Sequence, residues 1–179
     1  MAEYRPEIIF NGRISELLEV LKHLYEATVG SKKWLWEHTE EWTLKANSEI
    51  PLLTISHGSG IYQSLCKLKM PDSTQPEVLF LVEVKDLQDR AKYVAEGNTP
   101  AELYDMGLTA PNPHGYVTVY DTTNYLYAWF QPWNLNFTIN EKATLKLKNK
   151  TGKDITIQKV YAEGYVRPYG RYYPAEEIR

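Results

Sequence analysis

The spacing of apolar residues along the chain changes from a helical period to a strand period near residue 31. Between residues 14 and 28 an apolar residue recurs every three or four positions, which is typical of an amphipathic helix. These residues are Ile14, Leu17, Leu18, Leu21, Leu24 and Tyr25. We therefore predict an N-terminal arm and one amphipathic helix over residues 1–30. Two heptads are too short for a coiled coil, so a helix lying on its own domain is favoured.

From residue 31 to residue 166 the pattern predicts a succession of β-strands. Ala143 to Asn149 alternates strictly, with leucines expected inward and lysines outward. Val78 to Val84 is a continuous run of strand-forming apolar residues, which predicts a central strand buried on both faces. Gln131-Pro132 is expected to divide two further strands. Eight or more strands at short spacing predict a mainly β fold, an antiparallel β-sandwich of jelly-roll-like form.

Two segments depart from this pattern. Residues 85–113 form an inserted loop, in which Thr99 is expected to cap a short helix that begins at Pro100 and ends before Gly107. Glu102 would complete a capping box with Thr99. Residues 167–179 are rich in Tyr, Arg and Pro and predict an extended C-terminal arm that is neither helix nor central strand.

Composition and charge exclude several classes of protein. The chain has 179 residues, of which 43% are hydrophobic and 24% charged, so it has enough apolar surface for one globular domain. A net charge of −3 argues against a dedicated nucleic-acid-binding protein. No apolar run is long enough to span a membrane, and the first residues lack the apolar stretch of a secretion signal. We therefore predict a chain that has neither a membrane span nor a secretion signal.

No catalytic, metal-binding or cofactor-binding residue is predicted. The four histidines, His23, His38, His57 and His114, show no metal-ligand spacing with carboxylates or with each other. His57-Gly58-Ser59-Gly60 has the composition of a turn between strands rather than of a nucleophile elbow. The single cysteine, Cys66, lies in an alternating strand and is expected to be a buried structural thiol. We therefore predict that the chain is not an enzyme; a cupin-type metalloenzyme is the weakest alternative.

Lysines are concentrated between residues 142 and 159, where six lysines accompany one acid, Asp154. Lysine on the outward face of a strand pair commonly protects a sheet edge. Single-stranded nucleic acids are bound through aromatic residues interleaved with the basic ones, and this segment contains no aromatic residue. Edge protection, or contact with an acidic partner, is therefore the interpretation.

Aromatic residues are the unusual component of the sequence, with 14 Tyr, 5 Trp and 4 Phe. Some of these rings are expected in the core, and two functional interpretations remain for the others. In the first, Tyr and Arg bind a protein partner, because both are enriched in interface hot spots. The residues predicted for that contact are Phe10, Tyr165, Arg167, Tyr169, Arg171, Tyr172 and Tyr173. In the second, Trp34, Trp36 and Trp42 form a platform for glycans.

The last third of the chain resembles the closing hairpin of β-sandwich virion proteins of bacterial and archaeal viruses. The resemblance rests on residues 136–139, 143–157 and 160–165, about a quarter of the chain. These virion proteins include capsid decoration proteins and receptor-binding or tail domains. The resemblance implies a non-enzymatic structural protein, usually a homotrimer, that binds a coat or tail protein in a virion assembled in the host cytoplasm. The alternative is a carbohydrate-binding module or a host-receptor-binding adhesin.

Overall fold

The computed structural model describes residues 32–56, 58–167 and 170–175, together with Leu18, Val20 and Leu21. The arm and helix predicted over residues 1–30 therefore fall, apart from those three residues, outside the described part of the chain. Phe10, His57 and Tyr169 also lie outside it.

The described residues form eleven β-strands and one short helix. In chain order these elements are β1 (Lys32–His38), β2 (Trp42–Leu44), β3 (Glu49–Ser56), β4 (Gly60–Lys69), β5 (Val78–Asp86), β6 (Ala91–Glu96), α1 (Pro100–Asp105), β7 (Tyr116–Asp121), β8 (Leu126–Asn136), β9 (Glu141–Asn149), β10 (Ile155–Val166) and β11 (Arg171–Pro174). This composition agrees with the predicted mainly β fold.

The strands form two antiparallel sheets, consistent with the predicted β-sandwich. Sheet A has the order β1-β10-β4-β8-β7, and β2 pairs with the first half of β10. Sheet B has the order β11-β3-β9-β5-β6. Four of the strand pairs are nested, because each pair lies in sequence inside the one before it. These pairs are β1 with β10, β3 with β9, β4 with β8 and β5 with β6.

A single hydrophobic core lies between the two sheets. The rings of Phe80 in sheet B and Trp129 in sheet A meet there, with their centroids 5.4 Å apart. As predicted, the leucines of β9 point into this core. Residues 78–82 of β5 are all buried, which confirms that β5 is covered on both faces.

Helix α1 begins and ends where the sequence predicts. The Thr99 hydroxyl accepts a hydrogen bond from the Glu102 amide at 3.1 Å, and the Glu102 carboxylate accepts one from the Thr99 amide at 2.8 Å. Gly107 follows the helix with φ = 73°, a conformation that glycine adopts without steric cost. The inserted loop over residues 85–113 contains more than this helix, because β6 lies within it as the edge strand of sheet B.

Two strand predictions need correction. Gln131-Pro132 does not divide two strands, since β8 continues through it from Leu126 to Asn136. Pro132 pairs with Gln63 beside a shift of register, where a missing backbone donor is tolerated in a central strand. The lysine-rich strand β9 is not at an edge either; it lies between β3 and β5. Its lysines therefore cannot serve as edge protection.

Candidate interaction surfaces

The outer face of sheet B is charged, and its charges are paired within the chain. Lys146 contacts Glu49 at 2.8 Å and Glu83 at 3.1 Å. Lys142 contacts Asp89 at 2.5 Å, and Lys148 contacts Glu96 at 3.4 Å. Surface pairs of this kind contribute little to stability, but together they engage all three lysines of β9. The predicted contact through these lysines is therefore disfavoured.

The outer face of sheet A has a different character, because aromatic and aliphatic side chains lie side by side across it. Leu65 points outward, since its neighbours Ser64 and Cys66 are fully buried in the core. The strand register aligns four such half-buried residues across four strands, one on each strand. We call this row the aromatic face, and its members are Tyr161, Leu65, Phe130 and Tyr116. A solvated sheet face ordinarily carries polar residues, so this row marks a candidate binding surface.

A carboxylate cluster lies next to the aromatic face. Glu163 is only 7% exposed, although it is on the outward side of β10. Its carboxylate accepts hydrogen bonds from Gln63 Nε2 at 2.5 Å and from the Tyr161 hydroxyl, and it pairs with Lys33 Nζ at 2.5 Å. Both of its oxygens have partners, which lie on β1, β4 and β10. The cluster therefore ties three strands together from the outside of the sheet.

The pKa values in this cluster are shifted in opposite directions. Burial by itself raises the pKa of Glu163, but the hydrogen bonds from Lys33 and Tyr161 outweigh it, and the pKa lies below its ordinary value. Burial, together with the hydrogen bond to Glu163, raises the pKa of Tyr161 to about 12. The carboxylate therefore stays ionised and the phenol stays protonated at neutral pH.

Two tyrosines form the end of sheet A nearest the C-terminal arm. The rings of Tyr62 and Tyr165 have centroids 5.7 Å apart, and Tyr62 is 43% exposed. The Tyr165 hydroxyl donates a hydrogen bond to Asn136 Oδ1 at 3.1 Å. Tyr165 can lie across β4 because residue 60 is glycine, and any side chain there would overlap the tyrosine ring. Tyr165, predicted from the sequence as a partner-binding residue, thus lies with Tyr62, which was not among the predicted site residues.

The C-terminal arm folds onto its own domain. Its strand β11 pairs with β3, and the ring of Tyr172 stacks on Trp34 at 5.5 Å. Tyr172 nevertheless remains 37% exposed, Tyr173 remains 48% exposed, and Arg171 is exposed as well. Arg167 is half-buried beside Gly58. The chain itself therefore buries the side chains of this arm only in part.

The structure corrects the glycan platform predicted from the tryptophans. Trp34 is 3% exposed and Trp36 is 8% exposed, so neither ring has a face to offer to a sugar. The Trp34 indole donates a hydrogen bond to the Tyr165 carbonyl at 3.0 Å and lies under Tyr172. Trp42 is half-buried and packs against the core. The sequence showed that Trp34 and Trp36 share one side of β1, but not that this side faces inward.

Cys66, the candidate metal ligands and the helix lengths can be checked in the described residues. Cys66 is fully buried, and burial raises the pKa of its thiol well above the ordinary value. This agrees with a structural thiol. Within residues 32–56, 58–167 and 170–175, no group of three His, Cys, Asp or Glu side chains could hold a metal ion. No helix in that part of the chain is long and apolar enough to cross a membrane.

Comparisons with known proteins do not assign a family. No protein-family model and no curated protein matches the chain. Exo-β-1,3-galactanase from Phanerochaete chrysosporium, solved with galactose, is 10% identical over 74% of this chain and 29% of its own, with a TM-score of 0.33. The VP2 subviral particle of infectious bursal disease virus is 8% identical over 83% of this chain and 43% of its own, with a TM-score of 0.34.

The structure of the Gt strain of infectious bursal disease virus is 9% identical over 82% of this chain and 43% of its own, with a TM-score of 0.32. This chain thus spans less than half the length of each of these three structures. The viral structures do not come from a virus of bacteria or archaea, the group that the C-terminal third resembles. Similarities at this level carry no inference about function.

Proposed function

We propose that this chain is a non-enzymatic structural protein of a virion, which decorates a capsid by binding a coat or tail protein and neighbouring copies of itself as a homotrimer. The observation that carries the proposal is the C-terminal arm. It presents Tyr172 and Tyr173, 37% and 48% exposed, beside the exposed Arg171. Large Tyr and Arg side chains at the surface are the residue types that dominate protein interfaces.

The fold is compatible with this role. The nested pairing of strands is that of a long hairpin rolled into two sheets, which is how a jelly roll is built. Jelly rolls occur in viral capsid proteins and also in lectin domains. The fold therefore supports a structural or binding role without choosing between them.

The chemistry of the carboxylate cluster supports the non-enzymatic part of the proposal. A general acid or base works best when its pKa lies near the working pH. The pKa of Glu163 lies below its ordinary value and that of Tyr161 is about 12, so neither group exchanges a proton near neutrality. The cluster is therefore suited to holding β1, β4 and β10 together.

Two measurements test the proposal. Light scattering at several concentrations should give a mass that does not fall below that of a trimer, and the double change Tyr172→Ala and Tyr173→Ala should abolish the trimer while the chain stays folded. Tyr104→Ala is the matched control, because Tyr104 is 46% exposed on α1 and should leave the mass unchanged. A trimer that survives the double change would contradict the role of the arm.

The virion role needs a separate test. An antibody against the chain should detect it in density-banded particles that contain packaged nucleic acid, purified from the organism that encodes it. Detection of the chain in the lysate and not in the banded particles would overturn the virion assignment.

Carbohydrate binding on sheet A is the second candidate function. It is favoured by the half-exposed ring pair Tyr62 and Tyr165, which lies beside the polar side chains of Gln63 and Asn136. Flat rings next to amide groups are suited to stacking on a sugar and hydrogen bonding its hydroxyls. This site differs from the Trp34 and Trp36 platform that the sequence suggested.

A glycan array with the full chain tests this second candidate. Tyr62→Ala should abolish any glycan signal, and Tyr104→Ala, which removes an exposed ring on α1, should leave it intact. Absence of binding to every glycan on the array would remove carbohydrate binding from consideration.

A further inference from the structure

Strand β6 is the edge strand of sheet B within the described residues, and it is exposed almost throughout. Five of its six residues are exposed, and only Ala95 is half-buried. Tyr93 is 42% exposed and Val94 is 54% exposed. Because these two side chains point to opposite faces of the sheet, β6 is apolar and open on both sides.

Along its outer side, the backbone of β6 pairs with no strand among the residues that the structure describes. The Gly97 amide donates to the Phe80 carbonyl at 2.9 Å, which fixes the hydrogen-bonding phase of the β5–β6 ladder. In an antiparallel ladder the hydrogen-bonding residues alternate, so Ala95 and Tyr93 direct their backbone groups toward β5. Val94 and Glu96 direct theirs away from the sheet. The most exposed apolar residue of β6 therefore lies at a position where another strand can add.

The other sheet edges are shorter, interrupted or covered, as protected edges usually are. Strand β11 has four residues and ends at Pro174. Strand β7 contains a shift of register and packs against α1. The edge beside β10 is interrupted, since it is divided between β1, of seven residues, and β2, of three.

The charges of β6 are directed back onto its own sheet. Lys92 Nζ contacts Glu141 at 2.7 Å, and Glu96 contacts Lys148 at 3.4 Å. These pairs hold the two charges near the ends of the strand. No charged residue therefore lies among the central residues Tyr93, Val94 and Ala95 to prevent pairing with another strand. An open apolar edge of this kind favours pairing with another strand.

We propose that β6 pairs with β6 of a second copy of this chain, antiparallel across a two-fold axis at Val94, so that two B sheets become continuous. The register follows from the backbone, because Val94 and Glu96 are the residues whose groups point outward. Val94 would then face itself as a hydrogen-bonded pair, and Tyr93 would face Ala95 of the other copy, a large side chain against a small one.

A second copy is the preferred occupant because the edge is self-complementary. An isologous contact places the same strand on both sides of the axis, and this strand matches itself in backbone phase and in side-chain size. The inference rests on the proposed self-association and adds a two-fold contact at the edge of sheet B opposite β11. A trimer held by the arm and a two-fold contact through β6 are compatible, because they use opposite edges.

The test compares Val94→Lys with Val119→Lys by light scattering of the full chain. Val119 is a matched control, since it is 38% exposed on β7, the edge strand of sheet A. Val94→Lys should reduce the mass at matched concentration by a factor of about two or more, and Val119→Lys should leave it unchanged. An unchanged mass for Val94→Lys overturns the β6 contact. Loss of the trimer on changing Tyr172 and Tyr173 in the Val94→Lys background would still support the arm.

Disulfide formation gives a second test of the β6 contact, which does not depend on the lysine variant folding correctly. The chain has one cysteine, the buried Cys66, so Val94→Cys introduces a single accessible thiol. Facing residues of a hydrogen-bonded pair have Cα atoms about 5.5 Å apart, which a disulfide can span. Air oxidation should convert Val94→Cys to a disulfide-linked dimer much faster than Val119→Cys. Equal rates for the two variants would overturn the proposal.

Discussion

At the scale of single residues, the strongest polar arrangement is the one around Glu163. A nearly buried carboxylate is costly unless it is paired and hydrogen-bonded, and Gln63, Tyr161 and Lys33 supply these partners. Burial and the hydrogen bond to Glu163 together keep Tyr161 protonated up to a pKa of about 12. The stability of the fold should therefore depend on pH through the Tyr161 phenol on the outer face of sheet A.

Tyr161→Phe should change stability in the alkaline range in a defined direction. In the unfolded chain the tyrosine has a pKa of about 10, and in the folded chain it has one of about 12. The unfolded state therefore loses the proton first, so this contribution to stability is present below pH 10 and is lost as the pH rises to 12. Urea unfolding at pH 8 should show the variant less stable by about 1 kcal/mol, and the difference should vanish near pH 12.

Tyr116→Phe provides the control for that experiment, because Tyr116 lies in the aromatic face away from Glu163. Its stability should follow that of the wild type at both pH values. A difference between wild type and Tyr161→Phe that stays constant from pH 8 to pH 12 would show that the phenol does not titrate with folding.

At the scale of elements, glycine controls how β10 lies against its neighbours. The register of β10 against β4 shifts between Glu163 and Gly164, opposite the start of β4 at Gly60. A Cβ atom at residue 164 would overlap the Gly60 carbonyl oxygen and come within 2.7 Å of the Trp34 ring. The bulge thus permits a backbone approach that brings Trp34, Tyr165 and Tyr62 together.

Gly164→Ala should therefore be strongly destabilising. The new methyl group meets backbone on one side and a buried ring on the other, so neither neighbour can move without cost. We expect a loss of about 3 kcal/mol or more in the free energy of unfolding by urea. Gly152→Ala is the matched control, since a Cβ there meets no atom within 4 Å, and it should change stability by less than about 0.5 kcal/mol. Equal effects of the two changes would refute the close approach.

The sequence predicted the features that depend on residues close together in the chain. It did not predict the features that depend on which strands pair in the sheets. Thr99, Pro100 and Glu102 predicted α1 because a capping box is formed by residues three positions apart. The alternation over β9 likewise predicted which side faces the core. That β9 is central, however, depends on its distant partners β3 and β5. For the same reason the burial of Trp34 and the row of aromatic side chains across sheet A could not be predicted from any single strand.

At the scale of the whole molecule, the two edges of sheet B have different relations to the rest of the sandwich. At one edge β11 brings Tyr172 onto Trp34 of sheet A, so the arm contacts both sheets. At the other edge β6 is exposed along most of its length. A sandwich with one edge closed by its own arm and one edge open is suited to repeated contacts between copies.

Deletion of residues 168–179 should separate the structural role of the arm from its role in assembly. Strand β3 keeps its partner β9, and the buried residues of the core all precede the deletion, which removes only the half-buried Ala175 from its margin. We therefore expect the shortened chain to fold. Loss of the Tyr172 stack on Trp34 removes an aromatic pair that contributes about 0.5–1.5 kcal/mol beyond its buried area. The free energy of unfolding should therefore fall modestly, whereas the trimer measured by light scattering should be lost.

Tryptophan fluorescence reports on the same deletion from inside the molecule. Removal of β11 opens Trp34 to water, so emission should move to longer wavelength, and it should move less when the deletion is made in a Trp34→Phe chain. A shortened chain that folds, shows this shift and remains a trimer would mean that the arm only covers the edge of the sandwich. A shortened chain that folds but no longer forms the trimer would mean that the exposed tyrosines of β11 contact other molecules, because the fold does not depend on them.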